Sequence, residues 1–380
     1  MKSTREILFC ALETYALVGG LQQFNRRVIR HLDALASAGG LAPSHVVLLR
    51  DDEGLFPAFD HVSFATAGGG RFDFIRNIVR HLSSAELLLL GHVNLLPIAV
   101  IARVLRPSLP ILLFVHGDEV WNQAEHRRMR FYEPWMLRAV TRIAAVSEYT
   151  ARRMASAFGA PASKFMLFPN AVDTIAINSR KTEGPRKLLT VSRLGPRDKE
   201  KNVDKVLHAF SQLKAEFPDL VYEIIGDGVW RSELESLARH LGVEDRVQFR
   251  GKVDDDQLHN AYNCADIFVL PSSKEGFGIV YLEAWQRELP VICSREGASS
   301  EIIADGVDGF AVDPNDIDTL AERLRVLLLD RDAARAFGQR GRRKVEERYL
   351  DSAFNSRMRS LMTEFGLAVP EPKSGTRSEV

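Results

Sequence analysis

Three features are scarce in this sequence: cysteine, net charge and long apolar runs. The 380 residues include three cysteines, and Cys10, Cys264 and Cys293 lie far apart without the spacing of zinc ligands. Disulfide frameworks and zinc motifs are therefore excluded, and a reducing, cytoplasmic setting is expected. The longest apolar runs, at 87–90 and 111–115, are far shorter than the ~20 residues of a membrane-spanning helix. The apolar run near the N-terminus is too short for a signal peptide.

The charges balance, with 50 basic and 50 acidic side chains. This balance gives no indication of a nucleic-acid partner, and none is expected. The distribution is uneven, however. Residues 1–170 carry 19 basic and 14 acidic side chains, and the remainder carries 31 and 36. The first half of the chain is therefore the more basic one.

Short apolar runs alternate with segments of helical periodicity along most of the chain. This pattern is typical of strands that are buried on both faces of a parallel sheet. The predicted strands of the first half lie at 6–12, 45–49, 62–64, 87–90, 111–115, 143–146 and 165–168, and those of the second half at 188–191, 221–225, 247–249, 267–270 and 290–293. A polar stretch at 179–187 separates the two series. The predicted fold class is α/β, with two Rossmann-like, doubly wound parallel-sheet domains.

The domain boundaries follow from the same alternation. We place the first domain at 1–180 and the second at 181–350. A further helix is predicted at 351–364, and the polar segment 368–380, with two prolines, is predicted to be disordered.

The stretch from Pro271 to Glu283 combines a strand end, a glycine-containing turn and the start of a helix. Glu275 lies in the turn, and Glu283 lies eight positions later on the helix. A helix that opens at Gly276–Gly278 leaves N–H groups free for an anion such as a diphosphate, and nearby carboxylates suit hydroxyl groups. A nucleotide sugar has both a diphosphate and hydroxyl groups. Alternatively, Glu275 caps the helix and Glu283 is a solvated surface residue.

Charged and glycine-rich positions at other strand ends point into the same kind of crevice. Arg193 follows the strand at 188–191, and Lys201 precedes the next helix, with Lys199 as an alternative to Lys201. Two fixed cations of this kind would suit a diphosphate leaving group. Gly19-Gly20 and His116 follow strands of the first half, although both could also be ordinary turn residues.

Two further segments have a functional and a structural interpretation. Residues 125–138 combine basic and aromatic side chains at helical spacing, which suits an anionic membrane surface or a phosphorylated acceptor. They could equally form a solvated helix with Trp135 and Met136 turned inward. Asp254-Asp255-Asp256 could suggest a metal site, but it precedes a helix and suits an N-cap, so no metal is expected.

The second half resembles the family 4 retaining glycosyltransferases. The matching motifs, in order, are Arg193 with Lys201, Gly226-Asp-Gly228, Phe249-Arg-Gly251, Asp266–Ser272, Glu275-Gly-Phe-Gly-x4-Glu283, Pro290-Val-Ile292, Glu301-Ile-Ile303 and Asp305–Phe310. The first half matches more thinly, at Gly19-Gly20, His116-Gly117, Ser147-x-Tyr149 and Pro169–Asp173. The resemblance implies the GT-B fold, in which two Rossmann-like domains face a central cleft and a C-terminal helix crosses back to the first domain.

The resemblance also implies roles for individual residues. Arg193 and Lys201 would neutralise the diphosphate, Glu275 would contact the transferred hexose, and His116 would lie beside it. The ribose would bind Glu283. The remaining donor-binding positions implied are Gly19, Gly20, Gly226, Gly228, Arg250, Phe277, Gly278, Ile279 and Val280.

The function that the resemblance implies is transfer of a hexose from a UDP- or GDP-sugar to an acceptor hydroxyl with retention, without metal or cofactor. The acceptor would be a saccharide or a lipid-linked saccharide, used in cell-surface polysaccharide, lipopolysaccharide or glycolipid assembly. The basic first half and the segment 125–138 favour a lipid-linked or phosphorylated saccharide at the inner face of the membrane. The alternatives are a nucleotide-sugar 2-epimerase of the same fold and a non-catalytic sugar-nucleotide sensor.

The sequence departs from the family pattern at two points. Glu288 stands where the helix after Glu283 normally ends in glycine, and Gly297-Ala298 replaces a pair of glycines. Neither change removes a charged residue of the predicted site. If Glu288 has a left-handed backbone, we expect local strain there.

Overall fold

The computed structural model describes residues 6–17, 19–123, 127–175 and 185–367. They form two parallel sheets of seven and six strands. The first sheet has the order β3-β2-β1-β4-β5-β6-β7. Its strands are β1 Glu6–Ala11, β2 Ser44–Leu48, β3 Val62–Thr66, β4 Ala85–Leu90, β5 Ile111–Val115, β6 Arg142–Ala145 and β7 Phe165–Leu167. The helices of this half are α1 Gly20–Ser37, α2 Arg71–Leu82, α3 Leu96–Leu105, α4 Glu133–Met136 and α5 Glu148–Phe158.

The second sheet repeats the plan in the order β10-β9-β8-β11-β12-β13. Its strands are β8 Lys187–Val191, β9 Val221–Ile225, β10 Val247–Gly251, β11 Ile267–Leu270, β12 Val291–Ser294 and β13 Gly309–Val312. The helices are α6 Val203–Leu213, α7 Arg231–His240, α8 Asp255–Cys264, α9 Ile279–Trp285, α10 Ser299–Ile302, α11 Ile317–Leu329, α12 Arg331–Arg348 and α13 Asp351–Glu364. The predicted α/β class with two doubly wound parallel sheets is confirmed.

The order of strands reverses once in each sheet, and this reversal fixes where a ligand can bind. The first sheet reverses between β1 and β4, and the second between β8 and β11. In doubly wound sheets, ligands bind outside the carboxyl ends of the strands at such switch points. The loops after β1, β5, β8 and β11 carry most of the residues selected from the sequence.

The predicted boundary at residue 180 falls in 176–184, outside the described residues, as does the segment 368–380. The first sheet ends at Leu167 and the second begins at Lys187. No helix among the described residues is long and apolar enough to cross a bilayer.

Helix α13 returns to the first sheet. Phe354 is fully buried and packs edge-on against Phe24 and Phe168, at ring-centroid distances of 5.5 and 5.1 Å. Arg27 of α1, itself buried, pairs with Asp351 at 2.8 Å and with Asp173 at 2.7 Å. One buried guanidinium therefore joins α1 both to the segment after β7 and to the start of α13.

The predicted helix at 125–138 is wrong over its described part, 127–138. Only Glu133–Met136 is α-helical, followed by a 3₁₀ turn at Leu137–Ala139. Pro134 occupies the first turn of this helix, and a proline ring prevents a helix from extending back through it. Trp135 is 58% exposed, so the interpretation that it turns inward is also wrong. Strand β13 was not predicted, because glycine opens a run of only four residues.

The expected strain at Glu288 is present, since this residue has φ 55° just after α9. A side chain in the left-handed region is unfavourable by about 1 kcal/mol. Glu288→Gly should therefore raise the free energy of unfolding by about 1 kcal/mol, measured by urea denaturation. Glu288→Ala keeps the strain and should leave it unchanged. Equal stability of the two variants would contradict this explanation.

Candidate active site

The loop after β11 is held in place from both ends. The hydroxyl of Tyr281 in α9 donates to the carbonyl of Leu270 at 2.6 Å. The side-chain amide of Asn202, just before α6, donates to the carbonyl of Pro271 at 2.7 Å and to the hydroxyl of Ser273 at 3.1 Å. These bonds fix the backbone from which Glu275 projects.

Lys201, which lies just before α6, forms an ion pair with Glu275 of this loop. The ammonium Nζ lies 2.5 Å from Glu275 Oε1, and both side chains are close to 13% exposed. Lys199 turns the other way and pairs with Glu233 of α7 at 2.6 Å, where both side chains are more than half exposed. Of the two lysines that the sequence offered, the structure brings Lys201 to Glu275.

Arg193 lies at the end of β8 with 77% of its side chain exposed, and its guanidinium is 3.4 Å from Asp198. Two glycines shape the loop that carries it. A Cβ on Gly226 would lie 1.7 Å from the carbonyl oxygen of Ser192, and a Cβ on Gly228 would lie 2.1 Å from that of Leu194. Because only glycine permits this approach, Gly226 and Gly228 position the backbone on both sides of Arg193.

His116 is buried at the end of β5. Its Nε2 lies 3.2 Å from the carbonyl oxygen of Gly91, and burial lowers its pKa to about 3. The ring is therefore neutral at pH 7 and donates through Nε2, which leaves Nδ1 as an acceptor. Among the described residues Nδ1 has no hydrogen-bond partner. The backbone N–H of His116 donates to the carboxyl of Glu119 at 2.5 Å, and burial raises the pKa of that carboxyl to about 7.

The backbone of His116-Gly117 touches the turn that follows Glu275. A Cβ on Gly276 would lie 1.9 Å from the carbonyl oxygen of His116, and a Cβ on Gly117 would lie 2.9 Å from the Cα of Gly276. The two domains therefore meet backbone to backbone. This contact places the end of β5 beside the loop after β11.

The glycine loop after β1 is organised by a residue that the sequence did not indicate. Asp51, fully buried, accepts backbone N–H bonds from Thr14, Tyr15 and Ala16 at 2.8, 2.6 and 2.7 Å. The turn leads to Gly19 and Gly20, where α1 begins. A lone aspartate after a strand has many structural uses, and only the fold shows that its carboxylate faces this turn.

Glu283, on α9, lines a cavity of about 610 Å³ between the two domains. The hydroxyl of Tyr262 donates to it at 2.9 Å, and burial raises the pKa of its carboxyl. Ile279 lines the same cavity. Val280 is half-buried, Gly278 has φ 98° just before α9, and Phe277 is buried against Tyr349.

Two further features selected from the sequence have partners within the second domain. The guanidinium of Arg250 lies 3.3 Å from Glu223 of β9, and no described contact joins it to Glu275, Lys201 or Arg193. Asp254 is the N-cap of α8, where it forms a capping box with Gln257. The capping interpretation of the three aspartates is therefore confirmed for Asp254.

Lys274 was also missed in the sequence. It is almost fully buried, lies 3.3 Å from Asp118 of the first domain and donates to the carbonyl of Arg197 at 2.9 Å. Its position next to Glu275 was the one feature of the sequence that could have identified it. Lysine is common on surfaces, however, so the type of residue alone gave no reason to select it.

Two family profiles match the chain. The profile described as Glycosyltransferase Family 4 matches residues 18–175, and the one described as Glycosyl transferases group 1 matches residues 172–344. A GDP-mannose-dependent alpha-(1-6)-phosphatidylinositol monomannoside mannosyltransferase of Mycobacterium tuberculosis is 33% identical over 258 residues, which is 62% of this chain and 64% of the relative. The aligned part therefore spans less than two thirds of that relative.

Further relatives extend the comparison. A GDP-mannose-dependent monoacylated alpha-(1-6)-phosphatidylinositol monomannoside mannosyltransferase of Corynebacterium glutamicum is 31% identical over 273 residues, which is 66% of this chain and 69% of the relative. The structure of Anabaena Alr3699/HepE in complex with UDP and glucose superposes with a TM-score of 0.73 at 19% identity, covering 95% of this chain and 100% of that one. Sucrose-phosphate synthase of Thermosynechococcus elongatus gives 0.75 at 19% identity, covering 95% and 99%.

These structural likenesses show the fold, and the sequence relatives show the family. The order of motifs along the chain, the two doubly wound sheets and the matches to both profiles agree. The chain belongs to the family 4 glycosyltransferases and has the two-domain GT-B fold.

Proposed function

We propose that this protein transfers a hexose from a GDP-sugar to a hydroxyl group of a lipid-linked saccharide, with retention at the anomeric carbon. The observation that carries the proposal is the Lys201–Glu275 pair, set beside the contact between Gly276 and His116. A cation, a carboxylate and a neutral imidazole lie there on the loops of two facing domains. The GDP-mannose dependence of the mycobacterial and corynebacterial relatives supports the choice of base.

The difficult step is departure of the nucleoside diphosphate while positive charge develops on the sugar ring. Arg193, exposed toward solvent, and Lys201 would stabilise the negative charge of the leaving diphosphate, and this electrostatic arrangement requires no metal ion. Glu275 would hold the hexose. The acceptor hydroxyl would attack from the face that the diphosphate leaves, and the leaving phosphate oxygen would accept its proton, so no protein base is assigned.

His116 suits a position beside the hexose. Its Nδ1 is a buried acceptor without a described partner, and such an atom is unfavourable until a donor reaches it. A sugar hydroxyl would supply that donor. At the other end of the donor, the carboxylate of Glu283 would accept hydrogen bonds from the ribose hydroxyl groups, within the cavity between the domains.

GDP should bind more tightly than UDP. Asp255 lines the cavity that contains Glu283, and guanine presents two adjacent N–H donors that suit a carboxylate, whereas uracil does not. Thermal shift with GDP and with UDP measures the difference. Asp255→Asn should reduce the preference, and Asp256→Asn, one position away on α8, is the control. A larger shift with UDP would contradict the choice of base.

Turnover separates the proposed transferase from its two alternatives. Purified protein with GDP-mannose and a short-chain phosphatidylinositol mannoside should release GDP and form an α-linked product, observed by mass spectrometry and NMR. Conversion of the donor to an isomer without acceptor would indicate an epimerase. Donor binding without release of GDP, across a panel of acceptors, would indicate a sensor.

We place the lipid contact on the first domain. The basic–aromatic surface consists of exposed side chains of α2, α3 and the segment at 127–138: Phe72, Val104, Leu105, Arg128, Arg130, Phe131, Trp135 and Arg138. Phe72 and Phe131 are more than 90% exposed, and α3 packs against α4. Exposed aromatic side chains among arginines suit the interface of an anionic bilayer.

Vesicle flotation tests this surface. The protein should float with phosphatidylglycerol vesicles and remain behind with phosphatidylcholine vesicles. The variant Phe131→Ser/Trp135→Ser should bind vesicles about tenfold or more weakly. Burial of each aromatic side chain in the bilayer interface contributes about 2 kcal/mol to the binding free energy. The matched control is Val229→Ser/Leu329→Ser, two exposed apolar residues of the second domain. Equal loss in both double variants would argue against a specific surface.

A further inference from the structure

The N-terminus of α5, in the first domain, contacts the turn that follows Glu275 in the second. The hydroxyl of Ser147 donates to the carbonyl of Gly276 at 2.8 Å, and the hydroxyl of Thr150 lies 3.4 Å from the same oxygen. Both hydroxyl groups are buried or nearly so. One carbonyl next to Glu275 is therefore bound from the opposite side of the cleft.

Ser147 uses both functions of its hydroxyl group. The oxygen accepts the backbone N–H of Thr150 at 3.1 Å, which makes Ser147 the N-cap of α5. The hydroxyl hydrogen is donated to the carbonyl oxygen of Gly276. Serine and threonine supply both functions at this position, whereas glycine is tolerated as an N-cap but offers no donor. The two roles can therefore be separated by substitution.

Other contacts hold the same loop from the first domain. Lys274, which precedes Glu275, pairs with Asp118 at 3.3 Å. Farther along, Glu301 accepts the backbone N–H of Glu148 in the first turn of α5 at 2.8 Å. Arg152, one turn later, lies 2.9 Å from the other oxygen of Glu301. The first domain thus contacts the second on both sides of Glu275.

We infer that Ser147 is a positioning residue, which sets Glu275 against His116 through the carbonyl of Gly276 when the two domains are closed. The inference rests on the proposed function for Glu275. Ser147 itself need not touch the substrate. The groups proposed to bind GDP, which are Arg193, Lys201, Glu283 and Asp255, all belong to the second domain. Loss of the hydroxyl should therefore affect turnover and leave donor affinity unchanged.

The experiment compares Ser147→Gly, Ser147→Ala and Ser147→Thr. We expect kcat to fall about tenfold or more in the glycine and alanine variants, as for loss of one positioning hydrogen bond. The dissociation constant of GDP, measured by calorimetry, should be unchanged. Threonine should restore kcat. The melting temperature should fall most in the alanine variant, which also lacks a capping residue.

Asp316→Ala is the matched control, because Asp316 caps α11 in the same way, by accepting the N–H of Thr319 at 2.9 Å. It should lower the melting temperature without changing kcat. Amide exchange at 276–279 gives a readout that needs no turnover, and it should be faster in Ser147→Gly and normal in Ser147→Thr. Unchanged exchange and unchanged kcat in Ser147→Gly would overturn the inference. If the wild-type protein transferred no sugar, the proposed function would fail, and amide exchange would still decide whether Ser147 positions the turn.

Discussion

Replacing Glu275 with glutamine should lower kcat/KM for transfer by about 100- to 1,000-fold, the range found when one electrostatic group is removed from a preorganised site. Glutamine has nearly the same shape, so packing in the loop after β11 is retained. What is lost is the negative charge that Lys201 contacts at 2.5 Å. Lys201→Met should give a similar loss, with a larger part of it in donor affinity, because the ammonium group would bind the diphosphate.

The chain supplies a matched control for this pair. Lys199 and Glu233 form an ion pair of the same type at 2.6 Å, only two positions away from Lys201 in sequence and exposed to solvent. Lys199→Met and Glu233→Gln should leave kcat/KM unchanged, since exposed ion pairs contribute little. Steady-state kinetics and melting temperatures of the four variants would be compared. A larger effect from Lys199 than from Lys201 would show that the diphosphate binds elsewhere.

Local sequence patterns were sufficient to predict most of the strands and helices of the fold. Runs such as 111–115 and 267–270 are apolar throughout, which is characteristic of strands covered on both faces, and the residue after each run therefore lies at the sheet edge. This reasoning led to His116 and to the loop that contains Glu275. It failed at 127–138, where spacing alone indicated a helix. There, Pro134 limits the helical part to a single short turn.

Contacts between the domains could not be predicted in this way. Gly276 and His116 are separated by 160 positions, and no periodicity relates them. The same holds for Asp51, which supports the loop of Thr14 from the end of another strand. Such pairs depend on the order of strands in the sheet and on how two sheets face each other. The resemblance to a family supplied the motif positions, and the structure supplied their partners.

Replacing Gly276 with alanine should reduce transfer by about 100-fold or more, although no charged group is removed. The added Cβ would lie 1.9 Å from the carbonyl oxygen of His116 and 2.9 Å from the Cα of Gly117. Both neighbours are backbone atoms, so no side chain can rotate away. The φ angle of Gly276 is outside the left-handed region, and alanine therefore introduces no local strain. The clash lies between the domains and is relieved only when the cleft opens.

Opening by about 1 Å is sufficient to disrupt catalysis, because reacting groups must be held close to their productive geometry. Donor binding should survive, since Arg193 and Lys201 belong to the second domain, and calorimetry with GDP measures it. Small-angle scattering should show a larger radius of gyration for Gly276→Ala in the presence of GDP. Gly39→Ala is the control: Gly39 has φ 75° and no atom within 4 Å of its Cβ position, so stability should fall while transfer is unchanged. Near-normal transfer by Gly276→Ala would mean that the two backbones are apart during the reaction, and that Glu275 acts without His116 beside it.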